Sequence, residues 1–113
     1  MRVMVIVKAN KDSEAGILPT ADQLTEMGQF NETLIKAGVM LAGEGLHPSS
    51  KGARVHFSGS KRTVIDGPFA EAKELIGGWA LLECRDKEEA VEWSKRFLSV
   101  LGQGEVRVRP VLG

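Results

Sequence analysis

At 113 residues the chain has the length of one domain, expected over residues 1–113, with one modest core. Lys and Arg together number 15, as do Asp and Glu, so the formal net charge is zero. That balance excludes a phosphate-tracking nucleic-acid binder, which needs a basic surplus, and leaves little repulsion against self-association.

Val3-Met4-Val5-Ile6-Val7 is a short, β-branched apolar run and reads as a strand buried on both faces. Lys8 to Leu18 is polar and reads as a loop lying over a site. Thr20-Ala21-Asp22-Gln23 has the form of a capping box, so a helix is predicted from there to about Ala37, stopped by Gly38. Its apolar stripe is Leu24, Met27, Phe30, Leu34 and Ile35, and Asn31 falls on the same stripe. An inward amide either bonds a backbone carbonyl or lines a pocket.

Val39 to Gly43 reads as a second strand, running into Glu44-Gly45-Leu46-His47-Pro48. Arg54 to Ser58 and Arg62 to Ile65 form a hairpin about Ser58-Gly59-Ser60-Lys61, with Val55 and Phe57 on one face and Arg54 and His56 on the other. Asp66-Gly67-Pro68-Phe69 ends that arm. A brief helix is predicted after Pro68, broken by Gly77-Gly78 before a strand at Trp79 to Leu82.

Asp86 is the predicted N-cap of the last helix, with Glu89 three residues on. Its stripe is Ala90, Val91, Ser94, Phe97, Leu98 and Leu101, and Gly102-Gln103-Gly104 ends it. Trp93 flanks the stripe and reads as packing. The closing strand alternates Val106 and Val108 with Arg107 and Arg109, and it ends or meets an edge at Pro110.

The order β-α-β-hairpin-β-α-β predicts an α+β, ferredoxin-like split βαβ fold with an antiparallel sheet. Right-handed crossovers place both helices on one face. Strands that are apolar on both parities then require cover on the other face. The simplest cover is a second copy, packed sheet to sheet as a homodimer, a dimeric α/β barrel.

Cys84 lies in an apolar run and reads as a small core residue; one thiol makes neither an internal disulfide nor a metal cluster. The apolar run after Arg2 spans five residues, and no stretch approaches the ~20 apolar residues of a membrane span, so a cytoplasmic protein without membrane contact is expected. No metal-ligand spacing and no phosphate loop occur, and no cofactor is expected.

The stretch Val64-Ile-Asp-Gly-Pro-Phe-Ala-Glu-Ala-Lys-Glu-Leu-Ile-Gly-Gly-Trp79 resembles the signature of the DGPF family of the YCII-related superfamily. Leu41-Ala-Gly-Glu-Gly-Leu-His-Pro48, Ala90-Val-Glu-Trp93 and Glu105-Val-Arg-Val-Arg-Pro110 resemble its other segments. The resemblance implies a dimeric α/β barrel. It further implies kinship with lyases or isomerases of small ring compounds, for which a His–Asp pair is the proposed catalytic feature. It also implies an association of such domains with sigma factors. Asp66 matches the motif aspartate, whereas Ala21-Asp22-Gln23-Leu24 carries no histidine where the superfamily has one.

The candidate catalytic residues are therefore Asp66, His47 and Glu44, and the candidate ligand-binding residues are Asn31, Phe69 and Trp79. Asp66 has two readings, a strand-stopping backbone cap or a general base at a sheet mouth. His47 reads as a solvated loop group or a proton-transfer group. His56 shares its face with Arg54 and reads as a polar rim. The expected function is binding of a small organic molecule in a barrel cleft, with cofactor-free lyase or isomerase chemistry. The alternative is a non-enzymatic binding or regulatory module with a protein partner, such as a sigma factor. A haem or oxygenase barrel is a third class, without an axial-histidine arrangement to support it.

Overall fold

The computed structural model describes residues 1–71 and 74–113. Strand β1 (Arg2–Lys8) is followed by a short helix α1 (Lys11–Glu14) and a long helix α2 (Ala21–Lys36). Strand β2 (Met40–Gly45), a 3-10 turn (Ser49–Lys51) and the hairpin strands β3 (Ala53–Ser58) and β4 (Lys61–Asp66) come next. Strand β5 (Ile76–Glu83), helix α3 (Lys87–Leu101) and strand β6 (Val106–Pro110) close the fold.

Four strands form one antiparallel sheet in the order β2-β5-β1-β6, and β3 pairs only with β4 in a separate two-stranded sheet. This is the ferredoxin-like order, with the two long helices crossing over strands that are not neighbours. The caps follow the sequence. Thr20 accepts from the Gln23 N–H and Gln23 reaches back to the Thr20 N–H. Asp86 accepts from the Glu89 N–H at 2.9 Å. Gly102 ends α3 in the left-handed region, at φ 81°.

Strand alternation divides the sheet into two faces. On the helix-covered face, Met40, Leu82 and Val3 lie in register across β2, β5 and β1. Val3, Val5, Leu82, Leu34, Val39, Cys84 and Ala90 form the buried core there. One row along, the residues shrink to Gly43 and Ala80 beside Val5, and then to Gly45 and Gly78 beside Val7. The core is therefore filled at one end of the sheet and empty at the other.

Several expectations are corrected. The polar segment after Lys8 contains α1, because Asn10 and Ser13 cap it reciprocally. Gly77 and Gly78 lie inside β5 instead of breaking a helix before it. The pair is there because neighbouring backbones come close: a Cβ at Gly78 would sit 3.0 Å from the Glu44 carbonyl oxygen. Ile35 is 59% exposed, so it lies off the buried stripe of α2. The brief helix expected after Pro68 runs across residues 72 and 73, outside the described residues. Pro110 ends β6, which is an edge strand, so both readings of that proline hold together.

Candidate functional site

The empty end of the helix-covered face is a cleft of about 1020 Å³. Its floor is Gly43, Gly45, Gly77 and Gly78, and its walls include Leu24, Met27 and Phe30 of α2 with Phe97 and Leu98 of α3. A Cβ built on Gly45 meets nothing within 4 Å, so the floor opens onto space that a side chain could fill. A volume at the upper end of the roughly 300–1,000 Å³ usual for ligand pockets, with mainly apolar walls, suits a small organic molecule.

An aromatic cluster closes the inner end. The Phe30 ring meets Trp93 edge to face at 6.1 Å and Phe97 at 6.3 Å. Trp93 packs against the core and donates its indole N–H to Glu89 at 3.1 Å, in keeping with a packing residue. The Arg85 main-chain N–H, and then that indole, hold the Glu89 carboxyl below the usual carboxylate range. Burial pushes the Cys84 thiol up, away from reactivity.

Polar groups enter at the rim. Asn31 is half-buried on the cleft wall, and no internal hydrogen bond engages its side chain among the described residues. Asn31 thus lines the cleft, and no bond from its amide across the sheet is present among the described residues. His47 and Lys51 line the opposite rim. The segment 10–19 runs along the mouth, contributing Ile17 and Leu18, which are 60% and 79% exposed.

Glu14 tethers that segment. Its carboxylate accepts from the Ser49 N–H at 2.9 Å and from the Ser49 hydroxyl. The Ser49 Oγ in turn accepts from the Phe69 N–H at 3.1 Å, and the Gly67 N–H donates to the Gly52 carbonyl at 2.9 Å. The Asp66-Gly67-Pro68-Phe69 turn is thereby joined, through the 3-10 turn, to the segment over the cleft. Sequence reading missed Glu14 and Ser49. They lie 35 positions apart, and only a Ser just after His47-Pro48 marked the place.

The sequence candidates separate into two groups. Asn31, His47, Glu44 and Trp79 belong to the cleft wall. Register sends the Glu44 and Trp79 side chains to the opposite face, since Glu44 pairs with Trp79 and Trp79 with Ile6, so they offer the cleft main chain. Asp66 and Phe69 do not line the cleft. Asp66 is exposed opposite Ala53 at the base of the hairpin. The Arg54 guanidinium lies over the Phe69 ring at 4.0 Å and pairs with Glu71 at 3.3 Å. A main-chain N–H, and then Arg54, hold the Glu71 carboxyl below its usual range. His56 pairs with Thr63 on the exposed hairpin.

The fold has a solved counterpart. The 5-chloro-2-hydroxyhydroquinone dehydrochlorinase TftG of Burkholderia phenoliruptrix, in complex with 2,5-dihydroxybenzoquinone, superposes with a TM-score of 0.57 at 14% identity, covering 99% of this chain and 94% of that one. An uncharacterised protein of Rhizobium meliloti (strain 1021) is 27% identical over 89 residues, 78% of this chain and 72% of its own. The family model of the YCII-related domain matches residues 1–112, and the chain belongs to that family.

Proposed function

We propose that the protein binds a small ring compound carrying hydroxyl or carbonyl groups in the cleft between α2, α3 and the glycine floor, and acts on it by cofactor-free proton transfer. The observation that carries this is the empty end of the core: about 1020 Å³ over Gly45, whose absent side chain would meet nothing. Apolar walls suit a ring, and the Asn31 amide suits an oxygen substituent. His47 is the rim imidazole that would carry the proton, in an isomerisation or an elimination. The Asp66–Phe69 turn acts at one remove, through the Phe69 N–H that donates to Ser49. The protein works in the cytoplasm as a homodimer, joined through the sheet face that the helices leave open. The fold-level likeness to a dehydrochlorinase agrees with this chemistry as analogy only.

A thermal-shift panel of small phenols, carboxylates and lactones, with 2,5-dihydroxybenzoquinone included, tests it. Binding to the folded state raises the melting temperature by mass action. At least one compound should shift the wild type and fail to shift Asn31→Leu, while a folded Asp66→Asn keeps the shift. A shift lost in Asp66→Asn and kept in Asn31→Leu would move the site to the hairpin base.

A second reading is favoured by the hairpin, where Val55, Phe57 and Val64 share one face and are 61–67% exposed. A regulatory module would present that apolar surface to a protein partner such as a sigma factor. Charged substitutions at Val55 and Phe57 would then abolish function and leave small-molecule binding intact.

A further inference from the structure

The cleft is larger than one ring needs. A cavity of roughly 150 Å³ holds a benzene ring, whereas this one encloses about 1020 Å³. Its polar groups are also unevenly free. Along the helix walls, the Trp93 indole N–H donates to Glu89 at 3.1 Å and the Ser94 hydroxyl donates to the Ala90 carbonyl at 2.8 Å. The Gln23 side chain accepts from the Thr20 N–H and donates to the Leu101 carbonyl at 3.3 Å. On the floor, Gly43 and Gly45 are paired with Ala80 and Gly78 in the β2–β5 ladder. Among the described residues no buried side-chain nitrogen or oxygen is left without a partner. The remaining inner surface is hydrocarbon and aromatic ring, from Met27, Phe30, Phe97 and Leu98. Towards the rim the pattern reverses. Asn31, His47 and Lys51 line the same space, and no internal hydrogen bond engages their side chains among the described residues.

A hydroxylated ring at the rim occupies those three groups and leaves most of the volume behind it open. Water fills that remainder poorly, because an ordered water needs about two to four polar partners and the walls there have none to give. Apolar ligand surface fills it well, and each methylene moved there from water strengthens binding about fourfold.

We infer that the ligand of this cleft is amphipathic: a hydroxylated ring held at the rim by Asn31, His47 and Lys51, carrying an alkyl tail that runs inward between α2 and the floor, over Ala80. This rests on the proposed ring-binding function and adds the second half of the ligand.

The test is isothermal titration calorimetry with 4-alkylresorcinols from methyl to nonyl, kept below their micelle concentrations. One molecule should bind per chain, with Kd falling about fourfold per methylene until the tail meets the core and staying level beyond. Asn31→Leu should weaken every member by the same factor, about fivefold, and keep the step per methylene. Ala80→Leu places a larger side chain on the floor between Gly43 and Val5, and Met27→Trp does so from the wall. Either variant, shown folded by circular dichroism, should lose the gain from longer tails. A wild type that binds methylresorcinol with the same Kd as every longer member overturns the tail and leaves the ring-binding function standing. A gain per methylene that survives in a folded filling variant puts the tail elsewhere and likewise overturns the inference. Failure of every member to bind, methylresorcinol included, overturns the inference and the ring-binding function together.

Discussion

Gly67 is the residue the turn cannot change. A Cβ there would overlap the Ser49 carbonyl oxygen, which is main chain and cannot swing aside. Gly67→Ala should therefore cost about 3 kcal/mol, seen as a lower urea midpoint with an unchanged slope; an unaltered midpoint would mean the turn does not rest on the 3-10 segment. Glu89 carries a pH dependence. Its carboxyl is held below the usual range in the folded chain, so its contribution is present above the unfolded value and lost as pH falls through the folded one. Glu89→Gln should consequently lose less stability than the wild type between about pH 5 and about pH 3, read from urea unfolding at each pH. Cap residues such as Thr20, Asp86 and Gly102 were legible because each sits within a few positions of the group it satisfies. Glu14 and Ser49 were not, because their bond joins segments 35 residues apart and no local spacing encodes it.

At the scale of elements, the apolar runs and their alternation announced five of the six strands closely, and both long helices in place. The glycine pair misled, because Gly77-Gly78 reads locally as punctuation. It lies in a central strand where β2 and the Lys8–Ala9 backbone press close. Those glycines, with Gly43 and Gly45, also empty one end of the core, so the same residues that blurred the strand created the cleft. The Asp66–Phe69 turn was visible as a motif, but its connection was not: it holds Ser49, and Ser49 holds the segment over the cleft. Ser49→Ala removes the acceptor for the Phe69 N–H and one donor to Glu14, and should cost about 1–3 kcal/mol. Hydrogen exchange should quicken at residues 10–18 while amides of β1 and β5 keep their relative order. Exchange unchanged at 10–18 would show that Ser49 does not tether that segment.

Over the whole molecule, the chain is flat, 46 × 37 × 18 Å, with a radius of gyration of 15.7 Å. A compact chain of this length has about 13 Å. The excess belongs to the hairpin, which extends the molecule sideways instead of covering either face. One sheet face carries the helices and the cleft, and the other carries no helix. That division followed from the sequence, because strands apolar on both parities with helices restricted to one side leave a face to cover. The cleft did not, since emptiness between α2 and the sheet depends on which glycines fall into register. The most direct measurement is ligand binding by a Gly45→Leu variant, using whichever compound shifts the wild type most. Its side chain enters open space, so the variant should melt at or above the wild-type temperature and lose the ligand-induced shift. A well-folded Gly45→Leu that retains the full shift would place the ligand elsewhere and contradict the assignment of the cleft.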